Sequence, residues 1–177
     1  MKKIVTVNDI YIKEDVIMDY NENIVYTLAF KKILNFYLFD CIVPNVSCRK
    51  HSLKEYGWND TRKLEKELFK ISNIKKENWK SCTRSDEIEE LVKTLENKSF
   101  ICIYHKNKDT NVESLLYCIR NALAHGSFKK SKINNKSVYY FDNYKNGKLK
   151  GHIIISEKTL LDWIKIIIEG ETKYEIK

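Results

Sequence analysis

A chain of 177 residues, 43% hydrophobic and 32% charged, is long enough for one domain with a single substantial core and too apolar for a disordered polymer. Its 32 lysines and arginines against 24 acids leave a formal charge of +8, a balance that favours a polyanionic partner. One proline and five glycines are too few turn residues for a β-sandwich, so helices should dominate.

Residues 1–20 read as an N-terminal extension. Its start, Met1-Lys2-Lys3-Ile4-Val5-Thr6-Val7, carries positive charge but lacks the long apolar core of a signal peptide, so export is not expected. The first strong helix is expected over 23–43, apolar nearly all round through Ile24, Leu28, Phe30, Ile33, Leu34, Phe36, Leu38 and Phe39, and stopped by Pro44. Lys31, Lys32, Asn35 and Asp40 interrupt it, which argues for a central bundle helix and against a membrane span. Within the basic stretch 49–80 a second helix is expected over 61–71, with Leu64, Leu68 and Ile71 on one face and Trp58 and Trp79 as flanking anchors. A third should open on Ser85 as its cap, hold Asp86 and Glu87 in its first turn and reach about residue 97. Residues 99–104 fit either a short buried strand or a helical turn.

Thr110-Asn111-Val112-Glu113 is a capping-box pattern, and Val112, Leu115, Leu116, Ile119 and Leu123 recur behind it at helical spacing up to Gly126. The period then changes to two. Val138, Tyr140 and Tyr144 alternate along one strand and Leu149, Ile153 and Ile155 along the next, with Asn146-Gly147 as the turn of a hairpin over 137–156. Counting outward from that turn pairs Tyr140 with Ile153 and Val138 with Ile155, leaving Phe141 and His152 as a surface pair on the other face. Ser156 should cap a final helix over 157–170, in which Leu160, Leu161, Trp163, Ile164, Ile167 and Ile168 supply surface for packing and dimerisation. Residues 1–177 are thus expected to form a single, mainly α domain: an up-and-down helical bundle with a C-terminal β-hairpin followed by a final helix.

Cys41, Cys48, Cys82, Cys102 and Cys118 are odd in number and lack zinc-site spacing, so reduced thiols and a cytoplasmic location are expected. No phosphate-binding glycine loop, zincin helix or dinucleotide fingerprint is present, and neither a metal nor another cofactor is expected. The chemistry is concentrated in Arg120-Asn121-Ala122-Leu123-Ala124-His125-Gly126. A histidine can exchange a proton near neutral pH, an arginine fork can neutralise a phosphate that gains charge, and Asn121 and His125, four apart, share a helical face and can hydrogen-bond. The competing reading is a plain helix stop, a basic last turn followed by glycine. Between residues 129 and 150 seven lysines face one acid, Asp142. Lys129, Lys130 and Lys132 supply phosphate attraction there, and Tyr139 and Tyr140 supply stacking faces, a combination suited to single-stranded RNA.

The segment Tyr117-Cys118-Ile119-Arg120-Asn121-Ala122-Leu123-Ala124-His125-Gly126-Ser127-Phe128 resembles the motif of the HEPN superfamily, an arginine, a polar residue, a short spacer and a histidine. The order of elements extends the resemblance, to compact bacterial and phage HEPN proteins, over roughly residues 20–170. It implies a helical bundle, a homodimer that brings two motifs together, and metal-independent RNA cleavage in a toxin, abortive-infection (antiviral defence) or RNA-processing setting. Arg120, Asn121 and His125 would be the catalytic residues, RNA the substrate, and an antitoxin or defence-system protein a compatible partner. Some antitoxin-paired HEPN toxins carry a tyrosine shortly after the histidine as a target of nucleotide transfer, whereas Ser127 and Phe128 stand there here. The alternative is a non-catalytic HEPN-like module that binds RNA or protein.

Overall fold

The computed structural model describes residues 4–7, 10–13, 27–40, 51–95, 99–105 and 110–173, with side chains from residue 27 onward. The expected helical bundle with a terminal hairpin is overturned by a five-stranded mixed sheet with helices on both faces. In chain order, β1 (Ile4–Val7) and β2 (Ile10–Lys13) form a separate antiparallel pair within the expected extension. Next come α1 (Leu28–Leu34), which widens into a π-helical turn over Asn35–Asp40, and α2 (Thr61–Ser72). They are followed by β3 (Trp79–Cys82), α3 (Ser85–Lys93), β4 (Phe100–Tyr104) and α4 (Asn111–His125). The chain continues with β5 (Phe128–Ile133), β6 (Lys136–Lys145), β7 (Lys148–Ser156) and α5 (Glu157–Glu169). The expected ends of the first helix, 23–26 and 41–43, its stop at Pro44, and Cys41 and Cys48 lie outside the described residues.

The sheet runs in the order β3-β4-β7-β6-β5. β3 and β4 are parallel and joined through α3 as a βαβ unit, while the other neighbours are antiparallel. The physical reason that β4 defies periodicity is that both its faces are covered. Ile101 and Ile103 enter the larger core with α1, α2, α4 and α5, and Phe100 and Cys102 enter a smaller one beneath α3. A strand buried on both sides reads as a continuous apolar run rather than an alternation. β3 is only four residues long and carries Lys80 and Ser81, too little pattern to stand out from its basic surroundings.

β5 escapes the sequence pattern for a different reason, because lysines occupy half of it. It returns into β6 through Asn134-Asn135, both at positive φ (49° and 62°), the left-handed pair that a two-residue hairpin turn demands. Asn146-Gly147 (52° and 71°) turns β6 into β7 in the same way. The register beyond that turn differs from the count, since a bulge between Asn143 and Tyr144 absorbs one residue. Tyr140 therefore lies opposite Ile154, Phe141 opposite Ile153, and Val138 opposite Ser156. That one-residue slip exchanges the faces: Tyr139 and Phe141, not Tyr140, enter the larger core.

The helix caps follow local chemistry. Asp60 caps α2 through Arg62 N, and Ser156 Oγ accepts from Thr159 N at 3.0 Å to cap α5. At α3 the cap position is Arg84 rather than Ser85; Ser85 lies inside the first turn, and its hydroxyl accepts from Lys150 Nζ. Trp58 Nε1 donates to Ile167 O at 3.1 Å and Trp163 Nε1 to Leu68 O at 2.9 Å, so the indoles tie α5 to α2 and its flank. Among the described residues no helix is long and apolar enough to cross a membrane.

Candidate functional site

α4 is held at both ends and along one side, which fixes where its last turn points. At the start Thr110 Oγ1 accepts from Glu113 N at 3.2 Å while Glu113 Oε2 accepts from Thr110 N at 2.9 Å, the complete capping box. Val112, Leu115, Leu116, Ile119 and Leu123 are buried along the inner side. Gly151 of β7 lets the helix lie close to the sheet, since a Cβ there would collide with Cys118 Sγ. At the far end Gly126 turns left-handed (φ 67°), and Ser127 N donates to Ala122 O at 2.8 Å. Ser127 O then accepts from Asp142 N at 2.8 Å, which pins the helix terminus to β6.

This frame leaves Arg120 and Asn121 half-buried at the rim and Ala124 and His125 exposed in the last turn. Arg120 Nη1 donates to Asn121 Oδ1 at 3.1 Å. The amide oxygen of Asn121 is thus paired with the arginine, and not with His125 as the four-residue spacing suggests. The arrangement presents a guanidinium braced by an amide, and an imidazole one turn further on whose ring makes no structural bond among the described residues.

The lysine-rich strands divide by face. Lys129 lies opposite Tyr140 and Lys130 opposite Tyr139, so adjacent residues point to different layers. Lys129 and Lys132 are exposed on opposite faces, while Tyr140 is half-buried against the smaller core. Lys130, only 11% exposed, donates to Glu157 Oε2 at 2.6 Å, and the same oxygen accepts from Tyr139 OH at 3.0 Å. The Tyr139 ring is wholly buried and stacks on Phe141 (5.8 Å) and Phe30 (6.2 Å). Lys130 and Tyr139 are thus parts of the fold's interior, and their faces are not turned to solvent. Sequence reading misses Glu157, the group that binds both; its one visible signal is an acid in the first turn of α5.

The expected surface pair of Phe141 and His152 does not form: Phe141 is buried in the larger core, and His152, its side chain only 12% exposed, instead has Nδ1 2.6 Å from Asp142 Oδ1 across β6 and β7. Cys118 is buried on the inner side of α4, against β7, and desolvation, reinforced by Asp142, pushes its thiol well above the ordinary cysteine range. Cys102 is raised in the same direction, first by burial and then by neighbouring Cys82. Neither is suited to act as a nucleophile. Among the described residues no group of three or more histidines, cysteines and acids is placed to hold a metal ion.

The family described as HEPN pEK499 p136 matches residues 6–172. No curated protein and no solved structure matches the chain.

Proposed function

We propose, from the premise that the chain belongs to the HEPN pEK499 p136 family, that it is a metal-independent endoribonuclease acting as a homodimer. The observation that carries this reading is the Arg120-Asn121 pair and the exposed His125 on the last turns of a helix whose terminus is pinned to the sheet. In the proposed reaction an RNA 2′-oxygen attacks the adjacent phosphorus, a new 2′-O–P bond forms, and the 5′-O–P bond breaks. His125 takes the proton from the 2′-hydroxyl or returns one to the leaving 5′-oxygen, and two copies meeting in a dimer divide these roles. Arg120 binds the phosphoryl oxygens as charge accumulates on them. Asn121, through its amide oxygen, holds the guanidinium in place; its side-chain N–H groups remain donors for the phosphate. Lys129 and Lys132 attract the strand from either side of β5. A toxin, abortive-infection or RNA-processing role in the cytoplasm fits this chemistry.

The test is cleavage of a defined RNA in EDTA. The expected products carry a 2′,3′-cyclic phosphate and a 5′-hydroxyl, and the same strand with a 2′-deoxy sugar at the cut stays intact. A strict magnesium requirement rejects the mechanism. A second reading is favoured by the Gly126 cap, which makes His125 a fitting residue for an ordinary helix terminus: a module that binds RNA or protein without cutting. Tight RNA binding with no cleavage, unchanged on substituting His125, selects it.

A further inference from the structure

A cavity of about 370 Å³ opens between α2, the short 3-10 turn over Lys76–Asn78, β3 and the first residue of α4. Asn111 lies at this end of α4 and His125 at the other, 15 residues of helix that span about 20 Å. The cavity is therefore separate from the proposed cleavage site. Its size falls in the range of small-molecule sites, roughly 300–1,000 Å³.

Its lining combines two kinds of chemistry. One wall is aromatic: Phe69 meets Trp79 edge-on at 5.6 Å, and Trp79 is backed by Trp163 at 6.0 Å, so the rings are fixed by packing. Trp79 Nε1 is buried and has no hydrogen-bond partner among the described residues. The other part of the lining is cationic, with Arg62, Lys66 and Lys76. Arg62 leans on Asp60 at 3.4 Å, and Glu65, the one acid in the lining, has Oε1 engaged by Asn111 Nδ2 at 2.9 Å. Lys66 and Lys76 are exposed, line the cavity and make no ion pair among the described residues. Fixed rings offer a stacking surface to a planar base, and two ammonium groups on the same lining offer charge to a phosphate.

We propose that this cavity is a second ligand site that takes a phosphorylated nucleotide, its base against Phe69 and Trp79 and its phosphate on Lys66 and Lys76. The same chemistry is available from a free mononucleotide and from the 5′-phosphorylated end of a nucleic-acid strand. The reading goes beyond the proposed cleavage and does not depend on it.

Calorimetric titration of the intact protein with adenosine 5′-monophosphate tests the proposal, with Trp79 fluorescence as a second readout. One saturable site is expected, with adenosine and inorganic phosphate each at least about tenfold weaker, since each lacks one half of the recognition. The double variant Lys66→Ala/Lys76→Ala should weaken the nucleotide at least about tenfold, whereas Lys66→Arg/Lys76→Arg keeps it, which separates loss of charge from loss of fold. His125→Ala should bind as the parent does, whatever it does to cleavage. A short 2′-deoxy oligonucleotide that competes only when 5′-phosphorylated assigns the site to strand ends; one that does not compete in either form assigns it to the free nucleotide. No binding of the monophosphate, binding untouched by Lys66→Ala/Lys76→Ala, or inorganic phosphate binding as tightly as the nucleotide overturns the proposal.

Discussion

At its first turn α4 ties its polar side chains to its own backbone, Thr110 and Glu113 answering each other's main chain, whereas at its last turn His125 is exposed and the backbone closes on itself through Gly126. Both ends satisfy the helix, but only the second does so without its ionisable side chain. A residue that the fold does not need at a fixed, solvent-facing position is free to be selected for chemistry. The comparison therefore separates a structural terminus from a candidate reactive one on the same rigid rod.

The sharpest way to break this contrast is at the reactive end. His125→Ala and Arg120→Ala are each expected to lower cleavage at saturating RNA by at least about a hundredfold. Stability should change by no more than about 0.5 kcal/mol for His125, because the side chain is exposed. Thermal unfolding beside the rate assay checks both; near-native cleavage by either variant removes that residue from the reaction.

Gly126→Ala comes next in size. Its φ of 67° strains any L side chain, so a loss of about 1–2 kcal/mol is expected, with the helix end and the RNA-cleaving activity disturbed together. Denaturant unfolding that shows no loss means the terminus relaxes freely and does not hold His125 in place. Thr110→Ala should remove the cap at the other end for about 1 kcal/mol and leave the cleavage rate of the folded protein unchanged. A fall in rate at full folding would show that the two ends are coupled.

The smallest expected effect sharpens the division within β5. Lys129→Ala/Lys132→Ala should flatten the salt dependence of RNA binding, by about 0.7 in log-log slope for each phosphate of a single strand left without its lysine, and leave the saturated rate near normal. Lys130→Ala should instead lower stability, since it strips Glu157 of its ammonium partner in the interior. Binding curves across a salt series and an unfolding curve for each variant decide this; equal behaviour of all three lysines contradicts the face assignment.

How far the chain can be read from its residues depends on the range of the interaction. The capping box at Thr110, the Ser156 cap and the Asn146-Gly147 turn involve groups within four residues of each other, and each is found where the pattern places it. Ser85 stands one position inside the cap it is expected to form, a small shift that local pattern cannot resolve. The expected β6–β7 register fails on one bulge, which no residue type at Asn143 or Tyr144 announces. The candidate site is legible as Arg120, Asn121 and His125 on one helix end, but the expected Asn121–His125 bond is replaced by the Arg120–Asn121 bond between neighbours. Lys130 and Tyr139 look like surface groups because nothing near them in the chain hints at Glu157, which is 27 residues beyond Lys130.

The residues by themselves determined the helix carrying the motif, its two terminations, the identity of the three candidate catalytic side chains and the basic balance, because these rest on local hydrogen bonding and composition. Tertiary structure alone decided that β3 and β4 join the C-terminal strands into one sheet, which of the alternating lysines and tyrosines turn inward, and that a cationic cavity with an aromatic wall forms beside α2. The reason is that covering a sheet on both faces erases the alternation from which strands are read. A strand's inward face is set by which layer packs against it, a pairing between segments far apart in the chain.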